Sequence, residues 1–241
     1  MIKAVILSAG SGSRMKSDIP KQYLEIKGKP IIAYTIEAFE NSNVDSIILV
    51  CAREYFDLIN YIVEKYHYKK VECVVEGGKE RYNSVFNALD KVDGMDKVLI
   101  HDGARPLVKA EYINNMIERL KVHKACILGM PVKDTIKVVS PVSLSENKEK
   151  EEYIIDNTPD RKYLYIAQTP QGFDGALLKE SYNRMIFDIN AGKDVNITDD
   201  AMVVEGYSSE KVVVLESDYT NIKVTTRDDL EYVDKVVEKN V

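Results

Sequence analysis

Short apolar runs alternate along the chain with segments whose apolar residues recur every three or four positions. Apolar runs of this length are typical of strands covered on both faces, and a spacing of three or four is typical of amphipathic helices. The pattern predicts an α/β protein with a mostly parallel sheet and helices on both faces. The predicted strands include residues 4–7, 47–50, 71–75, 98–100 and 126–128.

Three predicted helices carry an apolar stripe that should face the sheet. In an open α/β sheet, ligands bind at the carboxyl ends of the strands, so we expect the chemistry in the segments that follow the strands. The stripes consist of Ile32, Ile36 and Phe39, then Ile59, Ile62, Val63 and Tyr66, and then Ile113, Met116, Ile117 and Leu120.

The region 137–162 departs from this alternation and is long for a simple connection. Its centre is strongly charged, which a solvated loop would explain. Its apolar ends, Val138-Val139 and 153–155, favour instead a protruding β-arm with a polar tip. Because an isolated two-stranded arm is marginally stable in water, it would need a partner subunit to pack against. We expect one domain over 1–241, with a dimerisation arm at about 137–162.

Composition narrows the class of protein. The formal net charge of −6 argues against a protein held to nucleic acid by a general basic field. No apolar run approaches the roughly 20 residues of a membrane span, and the apolar run at the amino terminus is too short for a signal peptide. The three cysteines are odd in number and lie in apolar runs, which predicts reduced thiols in a cytoplasmic protein. The three histidines have no metal-ligand spacing.

The segment after the first predicted strand carries two glycines and two cations. Gly10 and Gly12 let the backbone approach a bulky anion, and Arg14 and Lys21 would stabilise the charge on it. A tight turn would explain the glycines but does not require the cations. The segment therefore indicates a phosphate-bearing ligand.

Two later strand ends carry further candidates. Gly78 would let a flat ligand press on the backbone beside Ser84, although a turn with a helix cap explains this segment almost as well. Asp102 is suitably placed to hold Mg²⁺ or a substrate hydroxyl. The alternative for Asp102 is an ion pair with Arg105 that shapes the loop, and the two interpretations are compatible.

Hydroxyl groups and cations also occur in the second half of the chain. Residues 131–137 and 160–171 each offer a hydroxyl and a cation for a second phosphate, or else a cap and a surface charge. Asp199 and Asp200 are interpreted as caps of a helix. Lys223 lies in a predicted buried strand at 220–226, where it would need a partner such as a phosphate.

In this order, the segments AGSGSRM, PKQ, GGKERYNSV, HDGARP, PVKDTIK, QTPQGF, ITDDA and NIKVTT resemble those of the 2-C-methyl-D-erythritol 4-phosphate cytidylyltransferases of non-mevalonate isoprenoid synthesis. The resemblance covers essentially the whole chain. Relatives that use D-ribitol 5-phosphate, for wall or capsule polymers, share several of these segments and are the alternative. The residue Lys79 departs from the family, because an acidic residue is common there.

The resemblance implies a Rossmann-like fold of the nucleotide-diphospho-sugar transferase type and a homodimer joined by the β-arm. The implied reaction transfers CMP from CTP to the polyol phosphate, releases pyrophosphate and requires Mg²⁺. Arg14 and Lys21 would stabilise charge at the reacting phosphorus. Arg161 and Lys223 would orient the incoming phosphate. Thr135 and Arg161 would reach across from the partner's arm.

The resemblance also implies binding residues for both substrates, with Asp102 beside the metal ion. The CTP-binding residues would be Ala9, Gly10, Gly12, Gly78, Ser84 and Asp102. The polyol-binding residues would be Asp102, Arg105, Thr135, Thr169 and Thr198.

Two other classes of function are weighed against this one. An NAD-dependent oxidoreductase would need a third glycine where Met15 stands, so we exclude it. A nucleotide sensor without catalysis would keep the cavity but would not need Arg14, Lys21, Arg161 and Lys223 together.

Overall fold

The computed structural model describes residues 1–10, 19–142 and 152–240. Two predicted site residues, Gly12 and Arg14, lie outside these ranges, as does the tip of the predicted arm at 143–151. The strands are β1 (Ile2–Leu7), β2 (Glu25–Ile26), β3 (Lys29–Pro30), β4 (Ser46–Cys51), β5 (Val71–Glu76), β6 (Lys97–Asp102), β7 (Ala125–Pro131), β8 (Val138–Pro141), β9 (Tyr153–Asn157), β10 (Tyr165–Asp174) and β11 (Val213–Glu216).

Within the described ranges, the central sheet has seven strands in the order β5-β4-β1-β6-β10-β7-β11. β10 runs antiparallel to both of its neighbours, and the other pairs are parallel. The strands predicted from the apolar runs are confirmed as β1, β4, β5, β6 and β7. The fold class is therefore the predicted one, a mostly parallel α/β sheet.

Helices cover both faces of this sheet. They are α1 (Ile31–Glu40), α2 (Phe56–Lys65), α3 (Arg81–Leu89), α4 (Ala110–Arg119), α5 (Gly175–Asn190), α6 (Asp200–Tyr207) and α7 (Arg227–Asn240). The three predicted stripes are confirmed, and they pack on one face from α1, α2 and α4. The opposite face is covered by α3, α5 and α6. None of the helices in the described ranges is long and apolar enough to cross a membrane.

The register of the central strands determines where polar residues meet. β1 and β6 are parallel neighbours, with Leu7 opposite Asp102, so their carboxyl ends lie side by side. The chain then turns at Gly103, whose N–H donates to the Leu7 carbonyl at 2.8 Å. A Cβ at Gly103 would lie 2.9 Å from that carbonyl oxygen and 2.6 Å from Ile32 Cδ1, so this close approach requires glycine.

The predicted strand at 220–226 is wrong. The structure assigns no strand to these residues, and the last strand is β11. Val224 N–H donates to the Ala104 carbonyl at 2.8 Å, but the segment joins no strand ladder. The segment crosses the carboxyl ends of the sheet, where it reaches the turn after β6.

The region predicted as an arm contains a separate two-stranded antiparallel sheet made of β8 and β9. Val139 lies directly opposite Ile155 in this sheet. Every residue of both strands is exposed, including their apolar side chains. The part played by this sheet in dimerisation stays a prediction.

Candidate active site

A cavity of about 430 Å³ opens at the carboxyl ends of β1 and β6. The sequence predicted several of the residues that line it, from four separate parts of the chain. Arg81, Gln22 and Thr225 also line it and were not predicted. The predicted residues that the structure brings together here are Ala9, Gly10, Lys21, Gly78, Ser84, Asp102 and Lys223.

Gln22 fixes the start of the glycine-bearing segment. Its Nε2 donates to the Ser8 carbonyl at 2.5 Å and to the Gly10 carbonyl at 3.0 Å. Ser8 is also held from β4, since its backbone N–H donates to the Val50 carbonyl at 2.7 Å. Gln22 therefore fixes the backbone that precedes the predicted phosphate loop. Lys21 directly precedes Gln22 in the chain.

A second loop, after β5, faces the glycine-bearing segment. Gly78 N–H donates to Ser84 Oγ at 3.0 Å. A Cβ at Gly78 would lie 2.3 Å from Asn83 Cβ, so the loop can fold back onto α3 only with glycine there. Glu80 and Asn83 form the capping box of α3. The turn-and-cap interpretation is thus correct for this loop, and Gly78 and Ser84 line the cavity as well.

Asp102 is the centre of charge in the cavity. Among the described residues, three cations approach its carboxylate, which is 11% exposed. Lys223 Nζ lies 2.8 Å from Oδ2, Arg81 Nε lies 3.3 Å from Oδ1, and Arg105 Nε lies 3.9 Å from Oδ2. Burial alone would raise the pKa of the Asp102 carboxyl, but these cations hold that pKa well below its usual range. The carboxylate therefore stays ionised, and the predicted pair with Arg105 is the longest of the three contacts.

Arg81 is itself held by a fully buried acid. Asp200 is 0% exposed, and its carboxylate takes both terminal nitrogens of Arg81, at 3.0 and 2.7 Å. Tyr182 donates its hydroxyl to the same carboxylate at 2.6 Å. The prediction that Asp200 is a helix cap is therefore wrong. Asp199 alone caps α6, by accepting a hydrogen bond from Met202 N–H at 3.0 Å.

Behind Asp102 lies a buried pair of side chains, His101 and Thr169. Thr169 Oγ1 accepts from the Asp102 N–H at 3.1 Å and lies 3.0 Å from His101 Nδ1. Burial lowers the pKa of His101 to about 3, so the imidazole is neutral. Thr169 contacts the backbone of Asp102 and does not line the cavity.

Among the described residues, four further predicted site residues do not line the cavity of this chain, namely Arg161, Thr135, Arg105 and Thr198. Arg161 is exposed at the base of the β8–β9 sheet and donates to the Lys133 carbonyl at 2.8 Å. Thr135 is also exposed in this region. Arg105 donates to the Asn221 carbonyl at 2.7 Å, and exposed Thr198 donates to Met202 Sδ at 3.1 Å.

The chemistry of these residues suits a phosphate ligand better than a metal held by the protein alone. In the described part of the chain, no group of three or more His, Cys, Asp or Glu residues could hold a metal ion. Among the described residues that line the cavity, Asp102 is the acid that lies between cations, and Lys21, Arg81 and Lys223 give the wall a positive charge. Arg81 and Asp200 are the main residues that the sequence reasoning missed.

Comparison with known proteins gives a consistent family. The family model described as IspD, 2-C-methyl-D-erythritol 4-phosphate cytidylyltransferase, matches residues 2–239. A relative of that name from Lachnoclostridium phytofermentans is 41% identical over 240 residues, covering 99% of this chain and 97% of the relative. Another from Lachnospira eligens is 44% identical over 232 residues, covering 96% of each chain.

Solved structures agree with the sequence comparisons. The 4-diphosphocytidyl-2C-methyl-D-erythritol synthase from Anaerococcus prevotii superposes with a TM-score of 0.81 at 32% identity, covering 99% of this chain and 96% of that one. The 2-C-methyl-D-erythritol 4-phosphate cytidylyltransferase from Francisella tularensis superposes with a TM-score of 0.75 at 30% identity, covering 98% of this chain and 99% of that one.

The pair between Arg81 and Asp200 predicts a specific loss of stability. Asp200→Asn should lower the free energy of unfolding by about 3 kcal/mol, because it leaves a largely buried guanidinium with only its longer ion pair to Asp102. Tyr182→Phe should lower it by only about 1 kcal/mol, because it removes one hydrogen bond. Both values follow from urea unfolding curves.

Asp228→Asn is the matched control, since Asp228 is exposed in the first turn of α7 and asparagine there should change the free energy of unfolding by at most about 0.5 kcal/mol. An Asp200→Asn variant no less stable than Asp228→Asn would show that the buried pair contributes nothing.

Proposed function

The chain belongs to the 2-C-methyl-D-erythritol 4-phosphate cytidylyltransferase family, and we propose that the cavity around Asp102 is its active site. The protein is a nucleotidyltransferase that transfers CMP from CTP to 2-C-methyl-D-erythritol 4-phosphate in non-mevalonate isoprenoid synthesis. The observation that carries the proposal is the set of cations that meets one ionised carboxylate at the carboxyl ends of β1 and β6.

Because the reaction joins two anions, the active site must above all stabilise negative charge. A phosphate oxygen of the polyol phosphate attacks the α-phosphorus of CTP, and the bond from that phosphorus to the pyrophosphate oxygen breaks. Cations fixed in advance align the anions and stabilise the charge that grows on the phosphoryl oxygens. Lys21 and Lys223 line the cavity and are our candidates for this role. Arg14, for which the resemblance implies the same role, lies outside the described ranges.

The nucleotide base would lie between the glycine-bearing segment and the loop after β5. Ala9, Gly10 and Gly78 have small side chains or none, so a flat ring can approach the backbone here. Ser84 lies in the same wall, with its hydroxyl held by Gly78 N–H and the Glu80 carbonyl. This arrangement favours recognition of the base by fixed backbone groups.

Asp102 would hold the Mg²⁺ that we expect to accompany CTP. Mg²⁺ commonly uses one or two protein carboxylates together with substrate phosphates, and the ionised carboxylate of Asp102 faces this cavity. When bound, Mg²⁺ neutralises phosphate charge. Lys223, which pairs with the same carboxylate, would then have its charge available to the phosphate of the polyol.

The substrate assay tests this function directly. Pyrophosphate release should occur with CTP and 2-C-methyl-D-erythritol 4-phosphate, and D-ribitol 5-phosphate at equal concentration should not replace it. ATP, GTP and UTP serve as nucleotide controls. A preference for ribitol phosphate would contradict the substrate assignment, and no release with either polyol phosphate would instead favour a nucleotide sensor.

The cavity lysines predict a loss of turnover without a loss of fold. Lys21→Met should lower kcat by about 10²-fold or more, because it removes a positioned charge from the reacting phosphates. Lys121→Met is the control, since exposed Lys121 lies just after α4, away from the cavity, where it pairs with Glu118. Wild-type turnover by Lys21→Met would remove Lys21 from the mechanism.

A second copy of this chain fits the exposed β8–β9 sheet. Val138, Val139 and the three residues 153–155 are between 43% and 59% exposed, which gives this small sheet an exposed apolar surface. Its neighbours Ile136, Tyr165 and Ile166 are 40% to 46% exposed. A homodimer would cover this surface and would bring Thr135 and Arg161 towards the cavity of the partner subunit.

The dimer predicts that one charge on this sheet separates the subunits. Ile155→Lys should shift the sedimenting species from dimer to monomer, because it buries an unpaired charge opposite Val139. Val122→Lys is the control, since Val122 is 79% exposed after α4 and should tolerate lysine. A wild-type protein that sediments as a monomer, or an Ile155→Lys variant that stays dimeric, would contradict the proposed interface.

The three cysteines support a cytoplasmic location. Cys51, Cys73 and Cys126 are all free thiols, as expected of a protein in a reducing compartment.

A further inference from the structure

His101 is completely buried at the end of β6, directly before Asp102. It does not line the cavity, so no substrate atom reaches its ring. Its aromatic neighbour is Phe39, with ring centroids 5.1 Å apart. A buried imidazole keeps such a place only when both ring nitrogens have partners, and the identity of those partners indicates what it does.

The partners of the two ring nitrogens assign the tautomer of His101, because the Arg105 carbonyl beside Nε2 can only accept. Thr169 Oγ1 already accepts the Asp102 N–H at 3.1 Å, so its own hydrogen can be donated to His101 Nδ1 at 3.0 Å. Nδ1 is then the acceptor, and the ring proton is on Nε2. Nε2–H donates to the Arg105 carbonyl at 3.3 Å. The imidazole is thus neutral and has both nitrogens occupied.

These bonds connect both ends of the turn that carries Asp102. On one side, His101 and Thr169 hold the Asp102 N–H from β10. On the other side, His101 holds the Arg105 carbonyl, and Arg105 N–H donates back to the Asp102 carbonyl at 3.0 Å. The backbone of Asp102 therefore cannot rotate without breaking a buried hydrogen bond.

We propose that His101 is a positioning residue for the transfer reaction, which acts through Thr169 to fix the direction of the Asp102 carboxylate. The inference rests on the proposed role of Asp102 in the active site. With the backbone of Asp102 fixed, Oδ1 faces Arg81 and Oδ2 faces Lys223. A rotated carboxylate would lose one of these partners and would leave the place where phosphates are expected.

Two amide variants distinguish the hydrogen bond at Nδ1 of the imidazole from the one at Nε2. The Oδ1 of His101→Asn falls near the position of Nδ1 and can still accept from Thr169, but it loses the Arg105 carbonyl. The Nε2 of His101→Gln falls near the position of the histidine Nε2 and can still donate to that carbonyl, but it loses Thr169. Each variant removes one buried hydrogen bond, so a merely structural role would affect the two alike.

The expected result is a difference in turnover between variants of similar melting temperature. With the kcat of each variant divided by its folded fraction, His101→Gln should lose about tenfold or more, and His101→Asn should stay within about threefold of the wild type. Thr169→Val keeps the side-chain shape and removes the hydroxyl, so it should match His101→Gln. It also provides the test if the histidine variants do not fold.

The variant Asp102→Asn distinguishes a failure of the positioning role of His101 from a failure of the proposed role of Asp102. If it loses turnover while His101→Gln and Thr169→Val keep wild-type kcat, or if His101→Asn falls as far as His101→Gln, the positioning role is wrong and the proposed site stands. If Asp102→Asn itself keeps wild-type kcat, the proposed role of Asp102 is wrong, and this inference is overturned with it.

Discussion

The ionised carboxylate of Asp102 is the constraint on which the rest of the site depends. A carboxylate that is 11% exposed is stable as an anion only with charge partners and hydrogen bonds. Its two closest partners come from distant parts of the chain, Arg81 at the start of α3 and Lys223 in the segment after β11. Folding around this one charge therefore brings the nucleotide side of the cavity and the polyol side together.

A second buried acid, Asp200, limits how much of the Arg81 guanidinium contacts Asp102. Because Asp200 takes both terminal nitrogens of Arg81, only the Nε of Arg81 is directed at Asp102. The cations balance the negative charge of Asp102, but they do not enclose its carboxylate, which still lines the cavity. The mechanism requires this state, since a carboxylate that is to hold a cation must remain ionised and accessible.

The sequence predicts the frame and part of the site. Apolar periodicity identifies β1, β4, β5, β6 and β7, and the rule that ligands bind after strands identifies Lys21 and Asp102. It does not identify β10, which lacks a continuous apolar run around Gln168-Thr169-Pro170-Gln171, and it misplaces a strand at 220–226. The pair of Arg81 and Asp200 joins residues 119 positions apart, and nothing in either local segment indicates it.

The account is tested most directly by titrating Mg²⁺ into the reaction of CTP with 2-C-methyl-D-erythritol 4-phosphate, for the wild type and for Asp102→Asn. Pyrophosphate release by the wild type should depend on Mg²⁺, and the variant should need about tenfold more Mg²⁺ for half-maximal release. Superimposable titrations of the two proteins would show that Asp102 is a structural ion-pair residue, and would contradict the central claim.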